Sequence, residues 1–83
     1  MNNTIRKSQE RRELCAIIRD YSKVYGEPYR DCWAELYMNM GCKFCTSFGL
    51  EARRRKMKVI DYIEMQGLMP DALNMAREIF NYN

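Results

Sequence analysis

The residues of this sequence with the clearest chemical potential form a run of positive charge between residues 53 and 58. Five of these six residues are cationic, and the exception is Met57. Clustered Arg and Lys side chains repel one another and attract phosphate groups, so the run predicts a surface that contacts DNA or RNA. On a single helix Arg53, Arg54 and Lys58 lie away from the apolar face, and we expect them to make that contact. A solvated helix face without any ligand is the plainer alternative.

More positive charge lies near the N-terminus, where Arg11 and Arg12 precede the first apolar stripe. That stripe begins at Leu14, so residues 1–10 are expected to be a flexible or frayed basic extension. Residues 11–83 are expected to form a single helical domain. Arg11 and Arg12 complete the predicted nucleic-acid-binding residues. The net charge of +3 permits such a partner without requiring it.

Cys42 and Cys45 form a CxxC motif, which is the spacing of half a zinc site or of a redox pair. The other two cysteines, Cys15 and Cys32, are isolated, and the chain has no His. The second close pair of ligands that a structural zinc site needs is therefore missing. A thioredoxin-like pair would need a βαβ unit, which the pattern lacks. We expect all four thiols to be small buried hydrophobic residues and predict no metal and no cofactor.

The residue types that catalysis needs are scarce. Without His there is no side chain for acid–base chemistry at neutral pH. The sequence contains neither a glycine-rich phosphate loop nor a serine nucleophile motif. It therefore predicts a protein that is not an enzyme and has no small-molecule substrate.

Hydrophobic periodicity predicts the elements that position these residues. The pattern is typical of an all-α domain, a compact bundle of four helices in which the last is short. Gly26 is expected to end the first helix, and Pro28 to open the second. No alternation typical of strands is visible. The predicted helices span about residues 9–25, 28–41, 50–66 and 70–82.

The second predicted helix carries a dense aromatic face that includes the one Trp of the chain. Its members fall within an arc of about 100°. We expect Trp33 at the centre of the core, packed by the first and third helices. The face consists of Tyr29, Trp33, Leu36, Tyr37 and Met40.

Several apolar residues are expected to point outward, which supports a different function. Leu50, Met57 and Met65 fall among the charges on the outer face of the third predicted helix, and Met38 points away from the aromatic face. Adaptable Met side chains at the surface are typical of a partner interface. The alternative is therefore a protein-interaction or homodimerisation module without a nucleic-acid role.

A helix-turn-helix motif fits the pattern poorly. The last two predicted helices have a connection of suitable length, but the last one carries Arg77 against Asp71 and Glu78. A recognition helix facing phosphates should not be acidic.

Nothing in the sequence points to a membrane. The N-terminus lacks the apolar segment of a signal peptide. The longest apolar run, Leu14 to Ile18, has five residues, whereas a spanning helix needs about 18. We expect a cytoplasmic protein with no membrane partner.

The stretch from Tyr29 to Tyr37, with its Trp33-x-x-Leu36-Tyr37 pattern, is followed by a second amphipathic stretch, Ile60-Asp-Tyr-Ile-Glu64. Together they resemble the C-terminal helical domain of phage antirepressors and related phage regulatory proteins, over about residues 21–66. The resemblance implies a small non-enzymatic regulatory module of phage or mobile-element type. It transfers no functional residues. Contact with nucleic acid through a basic helix is the mechanism that we expect.

Overall fold

A computed structural model describes residues 8–80, and these residues form five α-helices joined by short turns. The prediction of an all-α domain is confirmed, but the prediction of four helices is wrong. Residues 1–7 and 81–83 lie outside the described range, and with them most of the predicted basic extension and the end of the last predicted helix. The helices are α1 (Gln9–Tyr25), α2 (Tyr29–Phe44), α3 (Phe48–Arg54), α4 (Val59–Met65) and α5 (Met69–Ile79).

The centre of the core is α5, which packs against α1, α2 and α4. Pro70 lies in its first turn, where the missing N–H has no helical partner to lose. Two of its buried residues are alanines, so neighbouring helices can approach it closely. With the residue that follows it, α5 supplies six buried side chains, namely Met69, Ala72, Leu73, Met75, Ala76 and Phe80.

The partners of α5 present one apolar side chain per turn. Leu14 and Ile18 of α1 are fully buried. On α2, the fully buried residues are Cys32, Leu36 and Met40, at positions i, i+4 and i+8 of one helix face. This face of α2 is centred on Leu36, and it sets the rotation of the helix.

Trp33 is therefore not the centre of the core. Its side chain is only partly buried, and Tyr29 is 49% exposed. The aromatic rings border the buried face of α2 and contact one another along the helix. The ring centroids of Tyr29 and Trp33 are 6.2 Å apart, and those of Trp33 and Tyr37 are 5.6 Å apart.

The third predicted helix, residues 50–66, is two helices joined by a tight turn. Lys56 adopts the left-handed conformation, with φ of 54°. The backbone N–H of Met57 donates to the carbonyl of Ala52 at 3.0 Å, and that of Lys56 donates to the carbonyl of Arg53 at 3.1 Å. These two bonds are the Schellman motif that ends helices. The left-handed residue of this motif is usually Gly. Because it is a Lys here, the sequence does not indicate that the helix ends.

This break changes the predicted surface of the region. The turn separates Arg53 and Arg54, which end α3, from Lys58, which precedes α4. The three cations therefore do not share one helix face. Met57 follows the left-handed residue, and its side chain is partly buried against the core rather than on an outer helix face.

The α2–α3 corner is tighter than predicted. Gly41 does not end α2, which continues to Phe44, and the loop comprises residues 45–47 only. The N–H of Thr46 donates to the carbonyl of Gly41 at 3.0 Å. A Cβ at position 41 would lie 2.7 Å from the carbonyl oxygen of Thr46, so the corner requires glycine there. Ser47 caps α3, with its side chain accepting a hydrogen bond from the N–H of Leu50.

The ends of α1 follow the sequence signals. Ser8 is its N-cap, with the side chain accepting a hydrogen bond from the N–H of Arg11. Gly26 ends the helix in the left-handed conformation, as predicted. Ser8 also donates from its hydroxyl to Oε1 of Glu64 at 3.0 Å, which ties the start of α1 to α4. No helix within residues 8–80 is long and apolar enough to cross a membrane.

The core assignment predicts different effects for one substitution at two leucines. Leu36→Ala should lower the free energy of unfolding by about 2–5 kcal/mol, because it leaves a cavity at a fully buried position. Leu50→Ala, at a residue 47% exposed, should change it by about 0.5 kcal/mol or less. Urea unfolding followed by circular dichroism measures both. Equal costs would contradict the rotation of α2.

The turn between α3 and α4 predicts a stabilising glycine. Lys56→Gly should raise the free energy of unfolding by roughly 0.5–1 kcal/mol, because glycine adopts a positive φ without steric cost. In an unbroken helix the same change would destabilise by up to about 1 kcal/mol. Lys23→Gly, within α1, is the matched control and should destabilise. Thermal unfolding of both variants distinguishes a turn from a continuous helix by the sign of the change.

Candidate nucleic-acid interface

An open groove of about 510 Å³ lies between α1, α2 and the start of α4. Three rings of α2 line it, and they alternate with the buried residues of the same helix. We call it the aromatic groove. Its lining residues are Tyr29, Trp33 and Tyr37 from α2, Arg11 and Cys15 from α1, and Lys58, Val59 and Ile60 at the start of α4.

Two neighbouring depressions share residues with the aromatic groove. One is lined by α1 residues that include Arg11, and the other by residues of the α3–α4 turn that include Lys58. Each depression shares at least one lining residue with the groove, so both adjoin it. We call the area of the three together the basic surface. The cations that line it are Arg11, Arg12, Arg19, Arg53, Lys56 and Lys58.

Arg11 differs from the other five cations because it has a partner. It is 8% exposed, and its Nη1 lies 2.8 Å from Oδ1 of Asp61. The angles at Nη1 are not those of a hydrogen bond, so the contact is an ion pair. It joins α1 to α4, the two helices whose residues face α2 across the aromatic groove.

The remaining cations of the basic surface are exposed and form no ion pair within residues 8–80. Asp61 is the one acidic residue among those that line the three depressions, and Arg11 already neutralises it. The surface therefore carries a net charge that no described neighbour balances. A multivalent anion is the ligand that such a surface favours.

Arg54 and Arg55 lie outside this surface. Nη1 of Arg54 is 3.4 Å from Oε2 of Glu51, and Nη2 of Arg55 is 3.9 Å from Oε1 of the same residue. Arg55 also lies over the ring of Tyr62, with its guanidinium carbon 5.3 Å from the centroid. Of the predicted binding residues, Arg54 is thus the one that the fold leaves away from the grooves.

Two cations of the basic surface, Arg19 and Lys56, were missed by sequence reasoning. Arg19 follows Arg12 by seven residues, which is about two helical turns, so periodicity alone could have placed them on one face. Lys56 could not have been placed, because its position depends on the turn that breaks the predicted helix.

The apolar residues predicted for a partner interface are spread over the molecule. Met38, Leu50 and Met65 are 66%, 47% and 50% exposed, respectively, on three different helices. Met38 lines a separate groove of about 400 Å³ beside the α2–α3 corner, together with Phe48. Met57 packs against the core. None of the described grooves gathers all four.

The cysteines only partly follow the expectation of burial. Cys32 is buried, and that burial raises the pKa of its thiol. Cys15 is partly buried, whereas Cys42 and Cys45 are both exposed, so the prediction that they are buried hydrophobic residues is wrong. In the described part of the chain, no group of three Cys, Asp or Glu residues is arranged to hold a metal ion.

Among the rings of the aromatic groove, Tyr37 is the one whose phenol pKa is shifted by burial. Burial raises the pKa of its phenol well above the ordinary 10.0, and the nearby thiol of Cys15 raises it further. Tyr37 therefore remains neutral in the groove, with its hydroxyl available as a hydrogen-bond donor. Tyr29 and Trp33 retain more exposed ring surface than a core position would leave.

Comparison of the chain with protein-family models, with curated proteins and with solved structures gave no match. The resemblance of residues 21–66 to phage regulatory proteins therefore stays a prediction.

The Arg11–Asp61 pair predicts a stability difference between two carboxylates of equal exposure. Asp61 and Glu51 side chains are both 27% exposed. Asp61→Asn should destabilise by about 1–3 kcal/mol, because it leaves the buried guanidinium without a counter-charge. Glu51→Gln should cost less than about 1 kcal/mol, because its partners are exposed. Urea unfolding at neutral pH compares the two variants. An equal loss in the free energy of unfolding would show that the Arg11–Asp61 ion pair does not stabilise the fold.

Proposed function

We propose that this protein is a small non-enzymatic module that binds nucleic acid through the basic surface. The single observation that carries the proposal is the convergence of cations that form no ion pair within residues 8–80 and come from two distant parts of the chain. Arg12 and Arg19 come from α1, and Lys58 comes from the α3–α4 turn, yet they line depressions that adjoin the same groove.

The energetics favour a polyanion. Holding several like charges together without partners costs electrostatic free energy, which a chain of phosphates offsets. Each phosphate neutralised also releases counterions, so binding should weaken steeply as salt rises. A single small anion would engage fewer of the five cations. A phosphate backbone can follow the surface from α1 to the turn.

A regulatory role of phage or mobile-element type rests on the resemblance of residues 21–66 alone. Binding without catalysis is what such a role needs. The proposal about the basic surface does not depend on it.

The protein-interaction hypothesis has weaker support. Its best observation is the exposure of Met38 and Leu50 near the α2–α3 corner. Sedimentation at increasing protein concentration tests it. The fraction of homodimer would rise with protein concentration, whereas the affinity for nucleic acid would fall as the salt concentration rises.

The proposed function predicts different outcomes for substitutions of Lys58 and Arg54, two cations on either side of the α3–α4 turn. Lys58→Gln should weaken binding of a labelled oligonucleotide and reduce the slope of log affinity against log salt by about 0.7–0.9, the loss of one phosphate contact. Arg54→Gln removes a cation that does not line the basic surface and should leave the slope unchanged. Fluorescence anisotropy at several salt concentrations measures both slopes.

The labelled probes should include a single strand and a duplex of DNA and of RNA. If none of them binds even at low salt, the proposed function is wrong. An equal loss of affinity and of salt slope in the two variants would show that binding depends on total charge and not on the basic surface.

A further inference from the structure

We propose that the basic surface takes a single strand rather than a duplex, with unpaired bases stacking on Tyr29 and Trp33. This inference rests on the proposed function, which names only nucleic acid. It adds the class of ligand and the two residues that select it.

The position of the rings supports this ligand. The aromatic groove lies between the two other depressions, sharing Arg11 with one and Lys58 with the other. A strand that follows the cations from α1 to the α3–α4 turn through these two shared residues crosses the groove that the rings line. Cations along the backbone and aromatic rings beside the bases are the two features that single-strand binders combine.

The packing of α2 leaves the rings of Tyr29 and Trp33 partly exposed. Tyr29 is 49% exposed at the first position of α2, and Trp33 is partly buried while Leu36 on the same helix is fully buried. The two rings meet at 80° with centroids 6.2 Å apart, so they do not stack on each other. A flat base can add the parallel contact that they lack.

Duplex DNA fits this surface less well. Duplex recognition commonly inserts a helix into the major groove. Here the cations flank a recessed groove, and α4, which begins at it, carries Asp61 and Glu64. In a duplex the base faces are also covered by their neighbours, so Tyr29 and Trp33 could not stack on them.

A cationic ligand fits poorly as well. Aromatic clusters bind ammonium groups through their ring faces. Lys58 lines the same groove, however, and would repel such a ligand. The charge of the groove therefore selects an anionic partner with flat rings over a cation.

Trp33 provides a direct test because it is the one Trp in the chain. The protein is titrated at low salt with a thymine or adenine homo-oligonucleotide and, separately, with a duplex of equal length. We expect saturable quenching of Trp33 fluorescence by the single strand, with an affinity at least tenfold above that of the duplex.

A pair of tyrosine variants separates stacking from charge. Tyr29→Leu should weaken single-strand binding at least about fivefold, the lower end of what one lost base stack costs, and should leave duplex binding unchanged. Tyr25→Leu is the matched control, because Tyr25 is 54% exposed and does not line the aromatic groove. It should leave both affinities unchanged, and circular dichroism verifies that both variants fold.

The outcomes distinguish this inference from the function on which it rests. Equal binding of single strand and duplex without quenching would overturn the inference and leave the proposed function standing. No binding of either would overturn both. Equal quenching by a poly-glutamate peptide would also overturn both, because an acidic protein would then satisfy the surface.

Discussion

Burial of α5 between α1 and α2 is the constraint that the rest of this fold obeys. A domain of this length buries only about 60–65% of its unfolded surface, so its best apolar face must be fully used. The small side chains of Ala72 and Ala76 lie at no exposure inside that face. To pack against α5, α2 turns Leu36 inward, and this rotation moves Trp33 to the edge of the core. The partly exposed rings follow from that packing.

Two further contacts bring the charged residues of distant segments together. The Schellman turn at Lys56 folds α4 back on α3, with Met57 held against the core and the neighbouring cations exposed. The ion pair of Arg11 with Asp61 then joins α1 to α4. Neither contact alone would bring these cations together. Together they leave cations without ion-pair partners among residues 8–80 beside the aromatic rings, a combination that suits the proposed polyanion.

The sequence-based prediction succeeded where local chemistry decides structure. Gly26 ends α1, as predicted, because glycine tolerates a positive φ. The hydroxyls of Ser8 and Ser47 likewise cap helices by a local rule, since they accept hydrogen bonds from backbone N–H groups. The prediction failed where the left-handed residue at a helix end is Cys45 or Lys56, since neither residue type signals a helix end in a sequence. Those two positions are imposed by tertiary packing against the local preference.

By itself, the sequence determined the helical class, most helix boundaries and the presence of two cationic segments, because periodicity, capping and charge are local properties. Only the tertiary structure decided which face of each helix is buried. A dense aromatic face looked like the centre of the core, but Leu36 occupies that place and Trp33 lines a groove. Whether Arg12 and Lys58 share a surface was likewise decided by the fold, because their proximity depends on contacts between residues far apart in the chain.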